Sequence, residues 1–117
     1  MGKSIHRRTL FKVSSQEKVE KLLEAYKTLD KNQSLHGKPY ILGIKARELL
    51  DDPRSQGYTV VAQMKFRDWK DLRYFDTKCP AHAELRETAM KLVTERPLVI
   101  GWTGSDVPKN LPMEKAE

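Results

Sequence analysis

The sequence predicts an α+β fold, a β-α-β-β-α-β succession that forms a four-stranded antiparallel sheet. Three observations lead there. Four short runs rich in β-branched and aromatic residues are separated by segments whose apolar residues recur at helical spacing. Turn chemistry, DDPRSQG, joins the second run directly to the third. And 117 residues make one domain, large enough to fold without metal or disulfide.

The first strand is read over 4–13, SIHRRTLFKV, ended by two serines. Ser14 with Glu17 three residues later carries a capping-box signature for a helix start. Val19, Leu22, Leu23, Tyr26 and Leu29 then form one apolar stripe through about residue 30. KNQSLHGKP is a loop, 40–46 the second strand, and 58–66, YTVVAQMKF, the third. Asp68 can cap a short helix over 69–76, and Pro80 suits the first turn of another running to about 93. The stripe of this last helix is His82, Leu85, Ala89, Leu92 and Val93, and LVIGWT closes the sheet. Residues 1–104 are expected to form the domain, and 105–117, with two prolines and no periodicity, an extended or disordered tail.

This order is the ferredoxin-like arrangement, with helices on one face of the sheet. The bare face of such a sheet should be polar. Here it is not: Leu98, Ile100 and Trp102 oppose Val99 and Thr103, and Val61 lies opposite Val60, Ala62 and Met64. Apolar residues on both faces predict that the second face is covered, most economically by the same sheet of another subunit in a two-fold homodimer.

Composition narrows the partners. The 22 basic residues exceed the 16 acidic ones by six, yet they are spread along the chain among carboxylates, as in EKVEKLLE and RDWKDLR. That pattern describes a solvated surface, so no nucleic-acid partner is expected, although the excess favours an anionic small molecule. One cysteine, Cys79, precludes an intramolecular disulfide. No run approaches the ~20 apolar residues of a membrane span or has signal-peptide form, so no membrane partner and a cytoplasmic location are expected. The three histidines show no metal-ligand spacing and there is no Gly-rich phosphate loop, so neither metal nor cofactor is expected.

The opening IHRRTLFKV, the segment SQGYTVVAQMKF, the PAH at 80–82 followed by a helix, and the closing LVIGWT together resemble the stress-responsive A/B barrel (Dabb) family over residues 4–104. The resemblance implies a dimeric α+β barrel, with two sheets packed face to face and a cavity between each sheet and its own helices. Some members are stress proteins without assigned chemistry. Others are enzymes, among them olivetolic acid cyclase-like, cofactor-free polyketide cyclases of plants. Relative to those, His82 matches the catalytic histidine, His6 a second pocket histidine on the first strand, and Tyr26 a tyrosine of the first helix. Asp76 stands where they have a catalytic tyrosine, Val60 where they have a further pocket histidine, and Arg8 where they have an aliphatic residue.

The residues themselves offer a bland reading beside each of these roles. His82 shares a helical stripe with Leu85 and can act as a general base near neutral pH, or be a histidine bonded within the core. Asp76, on the stripe of Trp69 and Leu72, can orient His82 or pair with Arg8, or face solvent at the helix end. His6, Arg8 and Leu10 share one face of the first strand. The resemblance turns that face to the cavity, whereas the greasier set Ile5, Thr9 and Phe11 argues for turning it to solvent. Tyr26 can donate to a substrate oxygen or simply fill the core. Tyr58, Trp69, Tyr74 and Trp102 are read as core or interface aromatics, His36 as solvated in a polar loop, and Cys79 as structural.

The expected function is therefore a cofactor-independent lyase or cyclase acting on an anionic aromatic or polyketide-like substrate, by cyclisation, dehydration or decarboxylation. His82 would be the base, Asp76 its orienting acid and Arg8 the anion holder, with His6, Tyr26, Leu10, Val60 and Leu85 around the substrate. The alternative is a non-catalytic stress-response or ligand-binding barrel.

Overall fold

The computed structural model describes residues 4–104. Its elements run β1 (Ile5–Phe11), α1 (Gln16–Asn32), β2 (Ile41–Glu48), β3 (Val60–Phe66), α2 (Trp69–Thr77), α3 (Pro80–Met90) and β4 (Leu98–Thr103). A short 3₁₀ turn, Pro53–Ser55, fills the β2–β3 connection. The strands are antiparallel in the order β2-β3-β1-β4, the ferredoxin-like topology. The tail expected over 105–117 lies outside the described residues.

Local chemistry sets the helix boundaries. α1 begins one residue later than the capping-box reading placed it: Ser15, in extended backbone, accepts from the Lys18 backbone N–H at 3.2 Å. Lys18 rather than Glu17 thus occupies the third helical position, and the reciprocal carboxylate bond of a capping box is not made. Asp68 caps α2 as expected from the sequence, accepting from the Asp71 N–H at 3.0 Å. Pro80 opens α3, where its missing N–H costs nothing. α3 stops at Met90 rather than near 93, because Val93 leaves the helix to pair with Val13 of the chain beyond β1.

The core lies between the sheet and all three helices. Ile5, Phe11, Val60, Ala62, Met64 and Phe66 of the sheet meet Val19, Leu22, Tyr26 and Leu29 of α1, Leu72 and Phe75 of α2, and Leu85 and Ala89 of α3. Strand parity then fixes the other face. Register pairs His6 with Trp102, Arg8 with Ile100 and Leu10 with Leu98, so these six share the uncovered side. Leu98, Ile100 and Trp102 are 43, 45 and 39% exposed there. Gly101, opposite Arg7, permits the close approach of β4 to β1: a Cβ at that position would lie 2.9 Å from the His6 carbonyl oxygen.

Candidate active site

The end of α2 and the start of α3 together make the central feature. The last carbonyls of a helix have no partner within it. That of Tyr74 accepts from the Lys78 and Cys79 N–H groups. That of Phe75 accepts from the His82 side chain, in the first turn of α3, with Nδ1 at 2.7 Å. A carbonyl can only accept, so Nδ1 carries the proton and Nε2 keeps its lone pair. The imidazole also stacks on the Phe75 ring, centroids 3.8 Å apart and planes 11° apart. Burial holds its pKa below the ordinary 6.5, partly offset by the Phe75 carbonyl, with Arg86 and Arg7 also lowering it and Asp76 raising it. The ring is therefore neutral at physiological pH.

Beside His82 lies a cavity of about 310 Å³ between the sheet and the helices, within the usual range for small-molecule sites. Thr9, Phe11 and Met64 form its floor, Tyr26, Leu85 and Ala89 its walls, and Arg7, Arg86 and Arg96 its charged groups. Burial raises the Tyr26 phenol above its ordinary pKa, so it stays a hydrogen-bond donor across the physiological range.

Of the residues singled out in the sequence, the structure brings His82, Tyr26 and Leu85 together on this cavity. Asp76 is adjacent but engaged. Its two oxygens accept from Arg7 Nη1 at 2.6 Å and Nη2 at 2.9 Å, a bidentate pair, and the nitrogen of His82 it was expected to orient is held by Phe75 instead. Val60 is fully buried in the core and does not line the cavity.

His6, Arg8 and Leu10 are turned the other way, which corrects the cavity-facing reading of that strand face. The helices cover Ile5, Thr9 and Phe11, the more apolar set, and alternation sends the even-numbered residues to the bare face. There His6 stacks on Trp102, 5.3 Å between centroids, and Arg8 lies 5.3 Å over the same indole. Neither can reach a ligand in the cavity on the opposite side of the sheet.

The residues missed were legible in part. Arg7 has the parity of Ile5 and Thr9, which places it on the cavity side once the greasier face is taken as the inner one. Arg86 follows His82 at i+4, on the same helical face. Arg96 carries no periodic signal, because it lies in the connector to β4.

Among the described residues no group of three His, Cys, Asp or Glu side chains gathers to hold a metal, and no helix is long and apolar enough to cross a membrane.

An antiparallel sheet covered on one face by helices, with a histidine-bearing cavity between them, defines a ferredoxin-like α+β domain with an internal cavity. The chain belongs to the stress responsive A/B barrel domain family, which it matches over residues 5–103. It is 36% identical over 83 residues to a fusaristatin A biosynthesis cluster protein of Gibberella zeae. That overlap covers 71% of this chain and 60% of the relative, so the chain spans about three-fifths of the relative's length.

Among solved structures, hydroxynitrile lyase from Passiflora edulis superposes with a TM-score of 0.72 at 15% identity, covering 96% of this chain and all of that one. A dimeric ferredoxin-like protein of unknown function from Thermobifida fusca gives 0.71 at 13% identity, covering 88% of this chain and 92% of its own. At such identities the likeness is one of fold.

Proposed function

We propose that the protein is a small cofactor-independent enzyme of lyase or cyclase type, using His82 as a general base on an anionic aromatic or polyketide-like substrate bound between helices and sheet. The observation that carries this reading is the fixed tautomer of His82. Nδ1–H is held by the Phe75 carbonyl at 2.7 Å, leaving Nε2 unprotonated in a ring that burial keeps neutral. Nε2 removes a proton from a carbon next to a carbonyl, and the C–H electron pair moves into the carbonyl to form an enolate. The Tyr26 hydroxyl donates to the enolate oxygen, and Arg86 adds positive charge beside it. The enolate then attacks a second carbonyl, closing a ring, or expels a leaving group from the β-carbon. Protonated His82 returns the proton to the new alkoxide or to the departing group.

The relative from a biosynthesis cluster and the hydroxynitrile lyase neighbour support a biosynthetic, lyase-like reading. The bare sheet face belongs to a homodimer interface on this proposal. The exposed Leu98, Ile100 and Trp102 and the dimeric Thermobifida fusca neighbour support it.

A second reading, a ligand-binding barrel without turnover, is favoured by one observation: Asp76, at the place where the plant cyclases resembled have their tyrosine, is spent on Arg7. Deuterium uptake from solvent at the α-carbons of 3,5-dioxohexanoate, followed by NMR, separates the two. The wild type should accelerate uptake over buffer, and His82→Gln should lose about 10²–10⁴ of that acceleration while keeping its circular dichroism. Wild-type exchange in His82→Gln would remove the catalytic reading.

A further inference from the structure

Three arginines and no carboxylate line the His82 cavity. Arg7 is already neutralised, because both oxygens of Asp76 are on its guanidinium. Arg86 has no such partner. It lies one helical turn beyond His82, and its guanidinium reaches only the Asp76 backbone carbonyl, at a long 3.4 Å. Arg96 makes no ion pair among the described residues, since its neighbour Glu95 is drawn away to Lys12 at 3.5 Å.

The connector that carries Arg96 is pinned to the end of β1. Val93 bridges Val13, and the Thr94 N–H donates to the Lys12 carbonyl at 3.0 Å. Pro97 then restricts Arg96 to extended backbone. The guanidinium is thus presented at the cavity from a fixed base. The carboxylates that could have quenched these two arginines are both engaged elsewhere, which leaves two uncompensated positive charges beside an apolar chamber.

We propose that Arg86 and Arg96 form a carboxylate-binding site at the His82 cavity, so that the ligand is an acid with an apolar acyl or aromatic body. The body lies against Phe11, Met64 and Leu85, and the planar acid group accepts from the guanidinium forks. This assigns the anion-holding role expected of Arg8 to residues on the correct side of the sheet. It rests on the proposed enzyme only for the use to which the bound acid is put. The site also couples to the base: Arg86 and Arg7 depress the pKa of His82, while Asp76 raises it. A carboxylate on Arg86 opposes that depression and makes Nε2 more basic when the acid is bound.

The test is a pair of probes of one shape, 1-naphthoate and uncharged 1-naphthamide, titrated into the full chain by calorimetry at low and high salt. The wild type should bind the acid at least about tenfold tighter than the amide, with the preference shrinking in high salt. Arg86→Gln and Arg96→Gln should each remove most of that preference, whereas exposed Lys70→Gln, which lowers net charge equally, should leave it. In the wild type, His82 followed by NMR should titrate higher with naphthoate than with naphthamide. Equal affinity for the two probes, no binding of either, or a preference that survives both arginine variants would each overturn the site. Because binding is read without turnover, His82→Gln should keep the acid preference. A wild type that shows no exchange dependent on His82, with the preference intact, defeats the enzyme and leaves the site standing.

Discussion

The Arg7–Asp76 pair ties the middle of β1 to the last turn of α2, and its removal should be felt in both stability and the titration of His82. The two hydrogen bonds, 2.6 and 2.9 Å, are bidentate, with side chains 18 and 36% exposed. Charge centres about 4 Å apart attract by about 4 kcal/mol at an effective dielectric of about 20 and about 1 kcal/mol in water. Water reaches the carboxylate more than the guanidinium, so the coupling should fall toward the lower figure, about 1–2 kcal/mol. Asp76→Asn strands a half-buried guanidinium, whereas Arg7→Met with Asp76→Asn removes both charges. The double variant should therefore cost less than the sum of the singles by that coupling, read from urea unfolding at one fixed protomer concentration.

His82 supplies a second readout. Asp76→Asn removes the anion that raises its pKa and leaves Arg7 and Arg86 to lower it further, while Arg7→Met should raise it. Additivity within about 0.3 kcal/mol, or an upward move of His82 in Asp76→Asn, would refute the pairing as described.

Two further outcomes follow from the same geometry. His82 is held below its ordinary pKa of 6.5, so the folded state binds its proton less readily than the unfolded chain does. Stability should therefore decline as pH falls from about 6.5 to the depressed folded value and change no further below it. His82→Gln should flatten that part of the urea-derived profile, and an unchanged slope would show that the ring is not desolvated. On the bare face, Ile100→Lys should convert the proposed homodimer to monomer in light scattering at micromolar concentration, since it sets a second cation directly cross-strand from Arg8 and buries that charge on packing. A wild type that is already monomeric, or a dimer indifferent to Ile100, would count against sheet-to-sheet packing.

Most of the fold was legible because each element carries its own local signal. The α1 stripe, the Asp68 cap and the Pro80 helix start depend on neighbours within a turn, and all appear in the structure. The site was legible only where it sits on such a stripe, as Tyr26, His82 and Leu85 do. β1 shows why the rest was not. Its two faces, Ile5-Arg7-Thr9-Phe11 and His6-Arg8-Leu10, each hold apolar residues and an arginine, so alternation defines the pairings without saying which set is inward. The helices decide that, by covering the set with Phe11. The Phe75 carbonyl was invisible for another reason: a backbone acceptor at a helix end has no signature in side-chain pattern.

An aspartate at position 76, where the plant cyclases resembled carry a tyrosine, bears on the proposed chemistry more than the loss of one hydroxyl would. A carboxylate placed beside His82 without a counter-ion would raise the histidine's pKa and favour imidazolium, a poor base at neutral pH. Arg7 takes both of its oxygens, so Asp76 weakens rather than reverses the depression of His82. Arg7 and Asp76 are in this sense one unit: either alone would leave a partly buried charge beside the cavity, and together they leave His82 neutral with Tyr26 as a hydroxyl donor on the lining. On the proposed mechanism, proton removal then falls to a base oriented by a backbone carbonyl, an acceptor that is not lost by side-chain substitution at Phe75. The chemistry proposed for this cavity therefore depends on the α2–α3 junction keeping its shape as much as on the identity of the histidine.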